Sequence, residues 1–264
     1  MITFEYFSNN EKFSLELIFK TNTEKKLRVF CSDYGKKNSN YCDRKIIVNG
    51  QRKIKVTFPV SPKKLIFYIY NVDNKKDKDI QVLVNKIPFV SYVFAYDNDD
   101  KEFIQFAINF AQICGFTNAT NNGVMFFSKN NKFKIRFLNK IIDREKNVTL
   151  NTPARVGHSS GVIEVSKQKF DKYTIPMRLV ILLHEYSHAY KNNKIGYEKG
   201  YESGADINGL YFYLGLGFSK IDAINVFGYV FLNASTDENV KRLKIINDYI
   251  KEFENEKYAQ KIIK

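Results

Sequence analysis

A chain of 264 residues with 44% hydrophobic and 15% aromatic content can bury one large or two modest cores, which excludes a disordered polypeptide. Its formal charge is +14, and residues 1–96 hold 18 Lys/Arg against 9 Asp/Glu, so nucleic acid, an anionic membrane and an acidic protein surface are the partners to weigh. Residues 1–12 lack a basic segment leading into an apolar run, and no apolar stretch approaches the ~20 residues of a membrane span, so neither a signal peptide nor a span is expected.

Between residues 2 and 96 apolar and polar residues alternate with period two in short runs. The predicted strands are 2–7, 13–19, 26–31, 45–48, 53–58, 65–70, 80–84 and 89–94. Asn49-Gly50 predicts a hairpin turn, Pro59 and Pro62 a bend or an edge, and 73–77 a charged loop. Eight evenly spaced strands without a helical stretch predict an all-β sandwich over 1–96. Its lysines are dispersed (Lys53 and Lys55, Lys63 and Lys64) and often alternate with apolar residues, as on a solvated sheet face. With no nucleic-acid motif in the chain, nucleic acid is not the expected partner. The module reads equally as a docking surface for a partner or as a structural support for a second domain. Asp33 and Asp43 are lone, solvated carboxylates in this reading. Cys31, Cys42 and Cys114 lack metal-site spacing; Cys31 and Cys42 pair only in an oxidising setting, and three reduced thiols are expected.

Asp97-Asn98-Asp99-Asp100 marks a boundary and an acid-rich helix start. Phe103, Phe106, Ala107, Phe110 and Ala111 recur at helical intervals up to Gly115, a predicted cap. Residues 124–127 and 133–137 predict strands of a small sheet, and 139–149 a loop or short helix. Residues 161–165 predict a further strand, with Glu164 on its face and with Arg155 and His158 shortly before it.

Thr174 and Pro176 predict the start of a helix whose run Leu179-Val180-Ile181-Leu182-Leu183 is apolar on nearly every side. It leads into His184-Glu185-Tyr186-Ser187-His188. Histidines four apart share one helical face and can share one metal ion. Glu185 lies roughly 100° round the helix from His184, where it can act as general base on water at the ion without ligating it. Only three histidines occur in the chain, and two of them make this pattern. The helix is expected to end near Asn192-Asn193. After 194–200, a short glycine-containing connection, a second helix should return antiparallel through Glu202, Gly204, Ala205 and Asp206. Tyr197, Tyr201 and Tyr211 are candidate donors to a transition state. Ser219 and Ser235-Thr236 predict caps of two further helices over 221–231 and 240–253, the latter with Leu243, Ile246, Ile250 and Phe253 on one face. Both are expected to be scaffold, and the tail 254–264 is expected to fray.

His-Glu-x-x-His followed by Glu-x-x-x-Asp resembles the gluzincin zinc metallopeptidases. The Glu202-Ser203-Gly204-Ala205-Asp206 form is similar to the compact phage and bacterial members of that group. The resemblance covers roughly 152–232. It implies zinc held by His184, His188 and Glu202, with Glu185 as base and Asp206 as an outer carboxylate orienting a ligand histidine. Thirteen residues separate His188 from Glu202, fewer than in thermolysin-like members. That leaves the subfamily open, together with a swap in which Asp206 ligates and Glu202 supports. In such peptidases the edge strand before the motif helix pairs with substrate backbone, which would give that role to 161–165. His158, or Arg155, would then stabilise the oxyanion; the other reading of His158 is an exposed loop residue.

The expected protein is therefore α+β: a β-sandwich module, 1–96, followed by a zincin-like helical domain with a small sheet, 97–264. The expected function is zinc-dependent hydrolysis of a protein or peptide substrate. The expected location is the cytoplasm, or a virion if the chain is phage-encoded. The alternative is a structural or assembly protein of phage-particle type that keeps the zinc site without peptidase activity. A nucleic-acid-associated regulator is a further alternative.

Overall fold

The period-two alternation of the N-terminal region is realised as β1 (Ile2–Phe7), β2 (Phe13–Asp33), β3 (Asn40–Phe58), β4 (Lys64–Asn71) and β5 (Gln81–Ile87). The structure is a computed structural model that describes residues 1–93, 96–143, 145–157, 159–190, 201–231, 236–254 and 260–263. The five strands form one antiparallel sheet in the order β1-β4-β2-β3, with β5 also pairing β2. Two pairs of predicted strands are thus single long ones. The reversal between β2 and β3 uses Gly35 and Asn38 at φ 79° and 52°. Asn49-Gly50, the predicted hairpin, lies inside β3. Gly50 has φ 71° and pairs with Thr21, just where the register slips before Lys25. Its left-handed backbone serves a bulge that bends both strands.

That bend makes the sandwich. Tyr6 pairs with Leu65, and Leu65 with Asp33 at one end of β2. Yet the Tyr6 ring stacks on Phe13 at the other end of β2, centroids 4.5 Å apart. A straight strand would separate those ends by roughly 65 Å at about 3.3 Å per residue. The sheet therefore folds onto itself, and Leu17, Phe19, Val29, Val56 and Phe67 are buried in it.

β6 (Val90–Val93), the eighth predicted strand, does not join this sheet. The chain continues through α1 (Asn98–Ile113), β7 (Val124–Phe127), β8 (Lys134–Leu138), β9 (Ile142–Asp143), β10 (Val148–Thr149), β11 (Ala154–Val156), β12 (Val162–Ser166) and α2 (Lys167–Phe170). There follow α3 (Ile175–Tyr190), α4 (Tyr201–Gly215), α5 (Lys220–Val226) with a π-helical turn at Phe227–Phe231, α6 (Asp237–Glu254) and β13 (Gln260–Ile263). β13 pairs antiparallel with β6, so part of the tail expected to fray is held as a strand. The small sheet has the order β11-β12-β8-β7. β12, the strand expected at 161–165, is internal, and the edge beside it is β11, which no sequence pattern marked. The reason is local: β12 is antiparallel to β11 on one side and parallel to β8 on the other.

The N-caps follow the sequence, whereas the C-cap of α1 is Cys114 and not Gly115. The Asp97 carboxylate accepts from the Asp100 N–H, Thr174 Oγ1 from Met177, and Ser219 Oγ from Ile221. The aromatic stripe of α1 is core: Phe103 stacks on Tyr186, centroids 4.0 Å apart. Among the described residues no helix is long and apolar enough to cross a membrane.

One buried cluster runs from the folded sheet through the helices, and two arginines tie the regions together. Arg44 of β3 pairs with Asp222 of α5 at 3.2 Å, both buried. Arg178, wholly buried, donates to the carbonyls of Phe170 (2.9 Å), Ala111 (3.0 Å) and Asn38 (2.7 Å). It thereby joins the root of α3 to the negative end of α1 and to the β2–β3 turn. Arg178→Met strips two buried carbonyls and one part-buried carbonyl of their donor and should cost on the order of 3–5 kcal/mol in urea unfolding. A loss below about 1 kcal/mol would show that those carbonyls find other donors.

Candidate metal centre

Helix α3 is buried along nearly all of 175–188, because its apolar run has no polar face to turn to solvent. It carries His184 and His188 inside, one turn apart, with their rings perpendicular and centroids 4.6 Å apart. Their Nε2 atoms approach to 3.0 Å. α4 comes back alongside and sets the Glu202 carboxylate 3.7 Å from His184 Nε2 and 3.5 Å from His188 Nε2. These three residues form a group whose donor atoms all lie within 4.8 Å of one another, able to hold a metal ion. Ligands on a tetrahedral ion with bonds of 2.0–2.1 Å sit about 3.3–3.4 Å apart, and the three separations bracket that value.

The protonation pattern fits the same role. Asp206 Oδ1 lies 3.0 Å from His184 Nδ1, the nitrogen facing away from the cluster. A proton on Nδ1 leaves the Nε2 lone pair pointing inward. The swap of Asp206 for Glu202 as ligand is disfavoured by this placement, since Glu202 faces both Nε2 atoms. Asp206 is fully buried and also takes Arg242 of α6 in a two-pronged pair, 2.9 Å on each oxygen. Arg242 reaches Glu202 Oε2 as well, at 3.3 Å. Close approach of α4 has a visible cause at Gly209, where a Cβ would stand 3.1 Å from the His184 backbone nitrogen.

Burial pulls the His184 imidazole toward its neutral form, but Asp206, Glu185 and Glu202 together outweigh it and raise its pKa. The His188 contact, working against partial burial, holds the Glu202 carboxyl down at about 2. Glu185 is buried, and burial raises its pKa against the opposing pull of both imidazoles. The Val156 N–H of β11 also pulls against that rise, and α3 packs against β11, so the base candidate sits on the side of α3 that faces the sheet edge.

Other expected site residues fall elsewhere. His158 and Tyr197 lie outside the described residues, as do Asn192, Asn193 and 194–200. Arg155 Nε donates to Glu164 at 2.8 Å, and Arg136 approaches the same carboxylate at 3.4 Å, so both are engaged on the strand face. Tyr211 packs edge-on against Tyr96. Tyr201 is the tyrosine at the cluster: its ring lies 4.5 Å from that of His188, and it is 44% exposed.

Arg242 was missed. The stripe of α6 read from sequence includes Leu243, which is exposed, whereas Arg242, Ile246, Tyr249 and Phe253 are buried. A charged residue at helical spacing from that apolar row was the available signal. α6 is thus more than scaffold, since it supplies a cation to the site. Compared with known proteins, the chain matches no family model, no curated protein and no solved structure.

If Asp206 fixes the His184 tautomer, Asp206→Asn should weaken metal binding about 10–100-fold in a competition titration. An unchanged affinity would remove Asp206 from the site.

Proposed function

We propose that this protein is a zinc-dependent peptidase related to the gluzincins. The observation that carries the reading is the convergence of two imidazole Nε2 atoms and one carboxylate beside a separate, buried Glu185. Two nitrogens and one oxygen suit zinc. His184, His188 and Glu202 would hold it. Bound there, the ion supplies a Lewis acid that polarises a carbonyl and lowers the pKa of water.

The remaining work falls to the chain's own groups. Glu185 takes a proton from the attacking water and passes it to the leaving amine. Its burial favours that task by holding the carboxylate less solvated than usual. Asp206, held by Arg242, fixes the His184 ring and tautomer. β11, an edge strand packed against α3, offers main chain for an extended substrate to lie against. A peptide paired there presents its carbonyl to the cluster whatever its side chains are.

The structural alternative, a zinc site without catalysis, requires a closed shell. Among the described residues the ligand group has three members, and the Glu202 side chain is 43% exposed. An open side of this kind supports catalysis over a purely structural ion.

Glu185→Gln should keep one zinc per chain and lose peptide hydrolysis by about 10²-fold or more, as for loss of a general base. His188→Ala should lose both. Full hydrolysis by Glu185→Gln with zinc retained would refute the reading.

A further inference from the structure

We propose that a second site, the cleft between the open edge of β3 and the helices, binds an extended acidic peptide segment carrying apolar side chains. The cleft has a volume of about 850 Å³, within the range of genuine ligand sites. It contains none of the metal-centre residues and lies at the opposite end of α4 from Glu202.

Its chemistry is two-sided. Lys45, Arg52, Lys53 and Lys55 of β3 and Lys220 of α5 bring positive charge to it, Lys53 with Glu16 of β2 3.6 Å away and its own side chain still 55% exposed. The carboxylate in its lining, Asp43, is already held by Arg28 through two hydrogen bonds of 2.7 and 2.6 Å. Arg44, also in the lining, is balanced by Asp222. The other wall is apolar: Leu214, Phe218 and Ile250, with Ile46 and Ile54 from β3. At the margin Ile221 and Tyr229 are 46% and 77% exposed, large apolar groups laid open beside a row of cations.

The arrangement of charge selects the ligand. Cations on β3 recur at alternate residues, Lys53 and Lys55, roughly 6.6 Å apart, which is the repeat of an extended peptide. A phosphate site would instead converge its cations on one point. Recognition runs through side chains, because the Lys55 and Ile47 carbonyls already accept from Arg44 and Arg52 at 2.9 and 2.7 Å. Acidic side chains at alternate positions would face the lysines, and the intervening apolar ones the helices.

The test is fluorescence anisotropy on the full chain and its Glu185→Gln variant. The probe is a labelled heptapeptide in which Asp or Glu alternates with Leu and Phe. Binding is read without hydrolysis, so the result stands apart from the peptidase reading. Lys45→Glu with Lys53→Glu should weaken binding about tenfold or more, whereas Lys129→Glu with Lys146→Glu, equal in charge and away from the cleft, should weaken it less than about twofold. Ile221→Ser should weaken it severalfold. Absence of saturable binding, or equal losses in the two double variants, would overturn the proposal. So would a labelled single-stranded oligonucleotide that binds more tightly than the peptide and is lost on the same Lys45/Lys53 reversal.

Discussion

Two imidazole nitrogens 3.0 Å apart inside a core, with a carboxylate within 3.7 Å of both, make a donor set able to hold a metal ion. With Asp206 at His184 Nδ1, the His184 Nε2 lone pair points at the other ring. With the His188 proton on Nδ1 as well, two lone pairs would face and repel each other, and burial removes the water that would screen them. A metal ion, or failing it a shared proton, relieves that repulsion. The helix pair around the site is organised to hold this donor set in place, which a solvent-facing histidine pair would not require.

Holding it takes support from four directions. Gly209 lets α4 lie against the backbone of α3 at His184. Asp206 and Arg242 fix the ring from behind. Tyr186, next to Glu185, bonds through its hydroxyl to Asp100 at 2.8 Å and stacks on Phe103, which locks α3 to α1. Arg178 anchors the root of the same helix. The contacts come from α1, α4 and α6 and from α3 itself, so the two histidines are positioned by rigid secondary structure and their rotamers have little freedom. Burying Arg242 and Asp206 together costs solvation; what the pair contributes is orientation of His184.

Much of this was legible in the sequence because its signals are local. The period of the N-terminal alternation, the Thr174 cap, the apolar run before His184 and the four-residue histidine spacing each depend on a few neighbouring residues. Long-range facts were not legible. Asn49-Gly50 carries the same left-handed preference whether it closes a hairpin or bulges a long strand, and the pairing of Gly50 with Thr21 decides between them. β11 is three residues long, too short for periodicity to register. β6 has an ordinary strand pattern, yet its partner lies at the far end of the chain. Arg242 was hidden because a one-residue rotation of the α6 stripe exchanges it with Leu243.

His184, His188 and Glu202 are proposed to bind one ion through two nitrogens and an oxygen. X-ray absorption at the zinc edge, on protein loaded with one equivalent of zinc, reads this directly. Two imidazole ligands and an oxygen shell at about 2.0–2.2 Å are expected, with the imidazole signal lost along with the bound zinc in His188→Ala. A shell of oxygens alone, or a spectrum unchanged by that substitution, would contradict it.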